Sequence, residues 1–341
     1  MMETILLKNT DEDLLTAAEL IKSGEIVGMP TETVYGLAAD ATNKDAVKKV
    51  FEAKGRPGDN PLIVHLERKE DLPLIAEDIP VSAYRLAEKF WPGPLTMVLN
   101  KRSCIPDITT GGLDTVAIRV PDNEAARKLI GFAGVPIAAP SANRSGYPSP
   151  TTAQHVMDDM NGRISAVIDG GACRVGLEST VICFEGYDSV RILRPGFITA
   201  EDLRTVVDDV IIDKNASADE PLGSEDAAPI SPGMKYTHYS PKAEVILIRA
   251  DINSFQEYIS DKYTENTYSL IFDYDKENFK YRYMTYGDDY TEQANQLFTK
   301  LRELDALGAD KIFVRAPRKE GIGLAVYNRL IRASGFEVIE L

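Results

Sequence analysis

Helix and strand signals alternate along this chain in two blocks, and this alternation constrains the fold more than any other feature of the sequence. In the first two hundred residues, Thr10 and Asn43 stand where helices should begin, and short apolar runs such as residues 25–29 stand where buried strands should lie. After Pro241 the alternation resumes. Because strands separated by helices are typical of parallel βαβ units, we predict an α/β protein whose second block forms an open, doubly wound sheet.

The predicted elements are spread evenly over both blocks. In the first block, we expect further strands at residues 62–66, 95–99, 116–120, 136–139, 166–168, 180–184 and 190–193, and helices near 82–90, 123–131, 152–159 and 200–206. In the second block, we expect strands at residues 244–248, 269–272, 311–314 and 337–339, and helices near 252–260, 291–307 and 323–333.

A polar, acidic segment separates the two blocks. Residues 215–229 have no apolar periodicity and are typical of a linker. The end of this segment, SPGMKYTHYSP at 231–241, holds more aromatic and polar side chains than a spacer needs. It either packs on a domain surface or serves a site. We predict an N-terminal domain over 1–206, a linker over 207–241 and a C-terminal Rossmann-like α/β domain over 242–341.

Charge and cysteine content limit the functions that the chain could have. The formal net charge of -15 disfavours tight non-specific binding to nucleic acid, which depends on neutralising phosphates. The three cysteines form no C-x-x-C pair, and an odd number fits a reducing compartment. Neither a signal sequence nor a run of about 18 apolar residues is found. We expect a cytoplasmic protein that does not associate with a membrane.

Positive charge is concentrated in one loop of this acidic chain. Residues 54–60 read KGRPGDN, so that Lys54 and Arg56 flank a glycine just after a predicted helix, with Asn60 close behind. Fixed cations on a backbone that approaches a ligand closely suit polyphosphate binding. A solvent-exposed Lys/Arg turn is the alternative, and for an isolated K-x-R it is the commoner one.

Three further segments carry polar side chains at the ends of predicted strands, where open α/β sheets bind ligands. Arg119 lies in the apolar strand VAIRV, so it either meets an internal carboxylate or receives an anionic substrate. The segment PTETVYGL at 30–37 offers Thr33, and the turn APSANRSG at 139–146 offers Ser141 and Asn143. Alone, each segment is a weak signal.

The common catalytic signatures are missing. The sequence holds no G-x-x-x-x-G-K-[ST], no G-x-G-x-x-G and no G-x-S-x-G, although Gly321-Ile-Gly323 supplies two of the dinucleotide-binding glycines. His65, His155 and His238 show no metal-ligand spacing. The chain therefore lacks a recognisable nucleophile and a recognisable metal centre.

Taken together and in this order, eight segments resemble the YrdC-like family, in its two-domain form of threonylcarbamoyl-AMP synthases. They are PTETVYGL at 30–37, KGRPGDNPL at 54–62, WPGPLT at 91–96, VAIRVP at 116–121, APSANRSGYPSPT at 139–151, GLESTV at 176–181, LRPG at 193–196 and SPGMKYTHYSP at 231–241. The resemblance implies an N-terminal twisted α/β sheet around a concave, basic cleft.

The resemblance also implies a reaction. Members of this family make L-threonylcarbamoyladenylate and pyrophosphate from L-threonine, bicarbonate or CO2, and ATP. A downstream transferase then uses the product to modify the adenosine next to the anticodon in tRNA. Such chemistry needs positioning and charge neutralisation more than a nucleophile. Mg²⁺ is expected with the triphosphate, held mainly by substrate oxygens.

By resemblance, the site consists of one set of residues that binds ATP and another that binds L-threonine. Lys54 and Arg56 are expected to be catalytic through their grip on the phosphates. The ATP-binding set comprises Lys54, Arg56, Asn60, Thr115, Ser141, Asn143, Ser149, Arg194 and Tyr236. The L-threonine-binding set comprises Thr33, His65, Arg119, Ala139 and Ser179, with Arg119 facing the carboxylate. No metal-binding residue is expected.

Two other functions compete with this one. A double-stranded RNA or tRNA-binding module would also need a concave basic surface, but the net charge argues against it, so that any tRNA binding should be weak or indirect. A carbamoyl-adenylate former of the hydrogenase-maturation type would need Cys-rich zinc motifs, which three scattered cysteines cannot supply.

Overall fold

A computed structural model gives the fold and describes residues 3–55, 58, 60–219 and 239–341. Within these residues the strands form two sheets, one for each block of the sequence. An α/β protein with two sheets is therefore confirmed, with the larger sheet in the N-terminal block. The boundaries at residues 206 and 241 stay predictions.

The first sheet is mixed and has twelve described strands. Along the sheet their order is β1-β9-β2-β3-β8-β4-β7-β6-β10-β11-β12, and β5 pairs with β6 outside this order. The strands are β1 (Ile5–Lys8), β2 (Val27–Met29), β3 (Gly36–Asp40), β4 (Ile63–His65), β5 (Ala76–Glu77), β6 (Leu95–Lys101), β7 (Thr115–Arg119), β8 (Ile137–Ala138), β9 (Ala166–Asp169), β10 (Thr180–Phe184), β11 (Ser189–Arg194) and β12 (Asp209–Ile212).

Helices cover this sheet and begin at polar caps. Thr10 accepts a hydrogen bond from the backbone of Asp13, and Asn43 accepts from Asp45 and Ala46, which confirms both predicted starts. The helices are α1 (Asp11–Lys22), α2 (Lys44–Lys54), α3 (Leu72–Ile75), α4 (Val81–Phe90), α5 (Asp107–Thr110), α6 (Glu124–Ala133), α7 (Ala153–Met160), α8 (Ala200–Leu203) and α9 (Lys214–Ser217), with a 3-10 turn at Lys69–Asp71.

In the first domain, several strands were not predicted, and the predicted end of one helix was wrong. The strand β3 was not predicted, because its sequence GLAAD is small and has no β-branched residue. β1 and β12 were also missed. The helix predicted over 200–206 was too long: it ends at Leu203, before the β-branched residues Thr205 and Val206.

The second sheet is fully parallel and has five described strands. They are β13 (Glu244–Arg249), β14 (Thr267–Ile271), β15 (Tyr283–Thr285), β16 (Lys311–Arg315) and β17 (Val338–Glu340), in the order β15-β14-β16-β13-β17. Three helices alternate with them: α10 (Ile252–Ile259), α11 (Tyr290–Ala306) and α12 (Gly321–Ala333). Of these strands only β15 was not predicted.

Helices lie on both faces of this second sheet. Along β13, Val245 and Leu247 pack in the same cluster as side chains of α11 and α12, whereas Ile246 and Ile248 pack with α10. Alternate side chains of a strand point to opposite faces. The doubly wound arrangement predicted from the sequence is therefore confirmed.

The helices α11 and α12 also pack against the first domain. Arg302 of α11 lies 2.6 Å from Asp159, and Arg329 of α12 lies 2.8 Å from Glu178. Gly176, at φ +80°, sits where an added Cβ would stand 2.5 Å from the Cα of Asn295 in α11. Such close approach of two backbones requires glycine.

Across the described part of the chain, every helix is too short or too polar to traverse a lipid bilayer.

Candidate active site

A cavity lies where the loops that follow several strands of the first sheet converge. It is bordered by the segment after β2, the end of α2, the strands β4 and β7, the turn after β8, the entry to β10 and the end of β11. Nine of the predicted site residues line it: Thr33, Lys54, His65, Arg119, Ala139, Ser141, Asn143, Ser179 and Arg194.

Arg119 ends β7 and is 3% exposed. Its Nη1 donates to Thr33 Oγ1 at 2.8 Å and its Nε donates to the Gly93 carbonyl at 3.2 Å. Its Nη2 lies 2.6 Å from Glu32 Oε2. This distance makes an ion pair, yet the two groups are not aligned for a hydrogen bond. Arg119 thus meets an internal carboxylate and keeps donor capacity at its tip.

His65 stands beside Arg119 on the neighbouring strand, in direct register with it. Burial, and then the positive charge of Arg119, lowers the pKa of His65 to about 3. Its ring Nδ1 has no hydrogen-bond partner among the described residues. His65 is therefore neutral at physiological pH and offers a polar contact without charge.

Two threonine hydroxyls form the wall next to Arg119. Thr31 and Thr33 share a hydrogen bond of 2.8 Å, and the Thr31 hydroxyl also contacts the carbonyl of Val34 at 2.7 Å. Gly36 packs closely against Ala139, because an added Cβ at position 36 would stand 3.0 Å from the Cβ of Ala139. The motif at 30–37 is thus a folded loop that leads into a strand.

Lys54 holds the turn that follows β8. It is the last residue of α2, with Gly55 in the left-handed region behind it, and only 4% of it is exposed. Its ammonium donates to the carbonyls of Ser141 and Asn143, the latter at 2.8 Å. Ser141 Oγ in turn donates to Asn143 Oδ1 at 2.5 Å. One cation therefore organises a compact turn at the cavity wall.

Arg194 ends β11 and reaches the opposite wall. Its Nε and Nη2 donate to the Ser179 carbonyl at 3.1 and 3.0 Å, and Nη2 also donates to Ser179 Oγ at 3.2 Å. Burial lowers the pKa of Arg194 to about 10, so the guanidinium stays charged near neutral pH. Ser179 Oγ shares a further hydrogen bond with Thr96 at 2.8 Å.

Glu178 was missed by the sequence reasoning as a site residue, although it stands inside the motif GLESTV. Its carboxylate accepts from Ser149 on one side and from Arg329 Nε on the other, at 2.8 Å. Burial alone would raise the pKa of Glu178, but Arg329, Arg194 and Ser149 together hold it below its ordinary value. Ser149 is fully buried and does not line the cavity itself, but it donates to Glu178, which does.

The C-terminal domain contributes to this site, which the sequence did not indicate. Arg329 is 0% exposed and lies 5.7 Å over the ring of Tyr239, which lines the cavity. Tyr239 stacks in turn on Phe298 of α11, with ring centroids 5.2 Å apart. The last tyrosine of the motif at 231–241 is therefore clamped between the two domains.

Asn60 and Thr115, like Ser149, are not among the residues that line the cavity. Asn60 is fully buried, and both heavy atoms of its amide lack a hydrogen-bond partner within the described part of the chain. Thr115 starts β7, opposite Asn100 and four residues from Arg119, which corresponds to about 13 Å along a strand. The structure does not bring Thr115 to the cavity, and its contact with nucleotide stays a prediction.

Two other predicted residues, Arg56 and Tyr236, lie outside the described residues. Their assignments to ATP binding stay predictions from the sequence.

The arrangement concentrates positive charge in a sheltered space. Lys54, Arg119 and Arg194 are each less than a tenth exposed and all line one cavity. Each of these cations has partners within the protein, and the small hydroxyl and amide side chains around them leave room for an anionic ligand. Among the residues that the structure describes, no cluster of three or more His, Cys, Asp or Glu could hold a metal ion.

Two family models match this chain. One, the Sua5_yciO_yrdC model described as "Telomere recombination", matches residues 19–196. The other, described as the C-terminal domain of threonylcarbamoyl-AMP synthase, matches residues 198–335.

Similar proteins match over almost their whole length. The chain is 45% identical to a threonylcarbamoyl-AMP synthase of Pyrococcus abyssi, covering 95% of both chains, and 41% identical to one of Bacillus subtilis, covering 98% of this chain and 96% of the relative. A crystal structure of P. abyssi Sua5 complexed with L-threonine has a TM-score of 0.91 at 42% identity, over 99% of both chains.

Proposed function

This chain belongs to the threonylcarbamoyl-AMP synthase family of nucleotidyltransferases, and from that premise we propose that it joins L-threonine, bicarbonate or CO2, and ATP into L-threonylcarbamoyladenylate, with release of pyrophosphate. One observation carries this proposal: three buried cations, Lys54, Arg119 and Arg194, face a single cavity lined by hydroxyl groups. A reaction between an amino acid and a triphosphate brings together two anions that such cations would neutralise.

The threonine would occupy the end of the cavity near Arg119. The Nη2 of this guanidinium is close to Glu32 but forms no hydrogen bond with it, so it has donor capacity for the substrate carboxylate. Neutral His65, Thr33 and Ser179 would contact the polar groups of threonine, and the backbone at Ala139 lies along the same wall. The crystallised P. abyssi relative binds L-threonine, which supports this choice of substrate.

The triphosphate would lie toward Lys54 and Arg194. Lys54 already orders the turn of Ser141 and Asn143, whose side chains face the cavity. The amide of buried Asn60, which has no hydrogen-bond partner among the described residues, supports a polar ligand nearby, since an unsatisfied buried amide is costly. We include Arg56, Ser149, Thr115 and Tyr236 in the ATP-binding set on the resemblance of their motifs.

The chemistry divides into an addition to CO2 and a substitution at phosphorus. The neutral amine of threonine attacks CO2 and loses a proton, which gives a carbamate. A carbamate oxygen then attacks the α-phosphorus of ATP, and the bond to the β-phosphate oxygen breaks to release pyrophosphate. The residues of the cavity position both anions and stabilise the charge that builds on the phosphates, so that no protein nucleophile is needed.

Mg²⁺ would accompany ATP rather than occupy a cage of protein ligands. The described residues around the cavity provide hydroxyls, amides and cations instead of clustered carboxylates. Triphosphate oxygens and water suit the octahedral preference of this ion. It would neutralise phosphate charge when bound.

We further propose where the product goes. An acyl adenylate is a reactive mixed anhydride, so a threonylcarbamoyl transferase must take it up and pass the group to the adenosine next to the anticodon of tRNA. This would take place in the cytoplasm. The net charge of -15 favours weak or indirect contact with tRNA itself.

A product assay tests the proposal directly. Protein with ATP, bicarbonate and L-threonine should release pyrophosphate and form a nucleotide product that incorporates both labelled threonine and labelled bicarbonate. Omission of any one substrate should abolish the adenylate. Arg56→Ala should lower the rate about hundredfold or more, as expected when a donor to the transition state is removed.

Arg68→Ala is the matched control, because Arg68 is an exposed arginine that pairs with Asp71 at the surface. It should keep the wild-type rate. Pyrophosphate release that does not depend on threonine would refute the proposed reaction, and full activity of Arg56→Ala would remove Arg56 from the phosphate site.

A further inference from the structure

A second cavity lies in the C-terminal domain, at the edge of the parallel sheet where all the strands end. Its volume is about 750 Å³, and its lining comes from the segments that directly follow β13, β14, β15 and β16. Cavities of this size accommodate small organic ligands. None of its lining residues belongs to the candidate active site.

The topology of the sheet explains why the cavity forms there. From β14 the chain moves outward to β15, whereas from β16 it crosses in the other direction to β17. Since β14 and β16 are neighbours, their connections diverge and leave a crevice between them. In open α/β sheets this switch point is where ligands bind.

One buried polar group points to a ligand. Gln293, in the first turn of α11, lines the cavity and is only 1% exposed. Its Nε2 donates weakly to the Asp288 carbonyl at 3.4 Å, while its Oε1 has no hydrogen-bond partner among the described residues. A buried acceptor left unpaired is destabilising, so a donor supplied from the cavity would stabilise it.

The helix α12 begins two residues after Lys319, which lines the cavity, so its start offers a place for an anion close to the cavity. Its N-cap residue, Glu320, makes no capping hydrogen bond, so the first-turn amides keep their donor capacity. Gly323 has no room for a side chain, because a Cβ would stand 2.5 Å from the Arg318 carbonyl and 2.9 Å from the ring of Tyr290. These contacts hold the helix start against two lining residues.

Aromatic rings, cations and three aspartates complete the wall, and the aspartates are engaged: Asp251 and Asp289 cap helices, and Asp288 accepts from the backbone of Tyr274. Tyr274 is 59% exposed, Tyr290 is half-buried, and Arg315 lies 4.9 Å over the ring of Phe272 while it pairs with Asp275. Arg318 is exposed and forms no ion pair within the described residues. Judged from the described residues, the cavity therefore offers a stacking surface, an acceptor without a donor and a cation without an ion pair, close to a helix start that has no side-chain cap.

We propose that this cavity binds a nucleoside monophosphate. The base would stack on the exposed face of Tyr274, and the phosphate would contact Arg318 and the first-turn amides of α12. Gln293 Oε1 would accept a hydrogen bond from a ribose hydroxyl or a base amino group. Gly321-Ile-Gly323, which no catalytic role explains, lies just beyond Lys319, the last lining residue, and forms this helix start.

Hydrogen–deuterium exchange on the full-length protein with AMP as the probe tests the proposal. AMP should slow exchange in residues 288–293 and 316–324, separately from any protection at the candidate active site near residues 141–149 and 176–194. Adenosine and inorganic phosphate, each alone, should protect the C-terminal segments less than AMP does. Protection confined to the first domain would overturn the proposal whatever the outcome for the synthase reaction.

Two variants and a matched control make the result specific. Arg318→Ala should weaken AMP binding at the C-terminal segments about tenfold, the effect of one charged hydrogen bond, and Gln293→Met should also weaken it. Lys276→Ala removes the same charge from an exposed position outside the cavity and should change nothing.

Equal binding in Arg318→Ala and wild type would refute the phosphate contact and with it the proposal. Phosphate that protects as well as AMP would mean a simple anion site. A short oligoadenylate that binds more tightly than AMP would mean that the ligand is RNA.

Discussion

Buried Arg119 has two roles, as the partner of an internal carboxylate and as a candidate contact for the substrate. From the sequence it had either to meet an internal carboxylate or to receive an anionic substrate. In the structure it lies 2.6 Å from Glu32, contacts Thr33 and still faces the cavity. The two alternatives are compatible, because a guanidinium has five N–H donors in a planar fork. The internal carboxylate holds the guanidinium in place for its ligand.

The variant Arg119→Lys tests the two roles of Arg119 separately. The lysine keeps a positive charge near Glu32 but has no planar fork, so the KM for threonine should rise about ten- to hundredfold, consistent with the loss of one or two charged hydrogen bonds. The KM for ATP should change little. Steady-state kinetics with each substrate varied in turn measures both.

Arg127→Lys is the control for this change. Arg127 lies on α6, outside the cavity, and pairs with Asp122 at the surface. The KM values of Arg127→Lys for threonine and ATP should equal those of the wild type. An unchanged KM for threonine in Arg119→Lys would contradict the carboxylate assignment.

Among the elements, α12 connects the two domains most directly. Its predicted span, 323–333, differs from the observed one by two residues at the start, and local signals were enough to find it. Its role in the first domain depends on Arg329, which is fully buried and bonds to Glu178 across 151 residues of sequence. No local pattern reports a contact between residues so far apart.

Arg329→Met tests this contact through stability. Removal of one partner leaves the Glu178 carboxylate buried without its main cation, which should lower the free energy of unfolding by about 3–5 kcal/mol. Chemical denaturation measures the loss. ATP affinity should fall as well, since Glu178 and Tyr239 both line the candidate active site.

The double variant Glu178→Gln/Arg329→Met provides the internal control. With both charges removed, stability should recover part of what Arg329→Met lost, because no buried charge remains unpaired. If the double variant is no more stable than Arg329→Met, the pair is not the source of the effect.

At the scale of the whole molecule, the interface between the domains contains buried ion pairs. Arg302 with Asp159 and Arg329 with Glu178 join helices of the second domain to the first. Of these carboxylates, Glu178 is held below its ordinary pKa of 4.5 in the folded protein. A carboxyl with a lowered native pKa stabilises the fold above its unfolded pKa, and this stability disappears as the pH falls through the native value.

The pH dependence of stability should therefore change in Glu178→Gln. Below about pH 4.5, wild type should lose stability more steeply than the variant, by at most about 1.4 kcal/mol per pH unit, which corresponds to one proton. Guanidinium unfolding at a series of pH values gives both slopes. Glu70→Gln, at an exposed glutamate away from the interface, should follow wild type. Equal slopes in wild type and Glu178→Gln would contradict the linkage.

Local patterns in the sequence were enough for the fold class, most helices and the motifs that carry the family resemblance. Caps such as Thr10 and Asn43, apolar spacing and strand-end glycines act over a few residues, so they can be read without the rest of the molecule. The family resemblance that these motifs carry led further, to nine residues that line one cavity. Short strands made of small residues, such as β3, escaped because their strand conformation comes from pairing with β2 and β8.

Only the tertiary structure showed what lies between distant segments. The pair of Arg119 with Glu32, the position of Thr115 at the far end of its strand, and the reach of Arg329 to Glu178 all depend on how elements pack. The cavity of the C-terminal domain depends on strand order, which the alternation of helices and strands does not specify. Packing of these elements is a property of the whole chain, because each contact is stabilised by others that lie far from it in sequence.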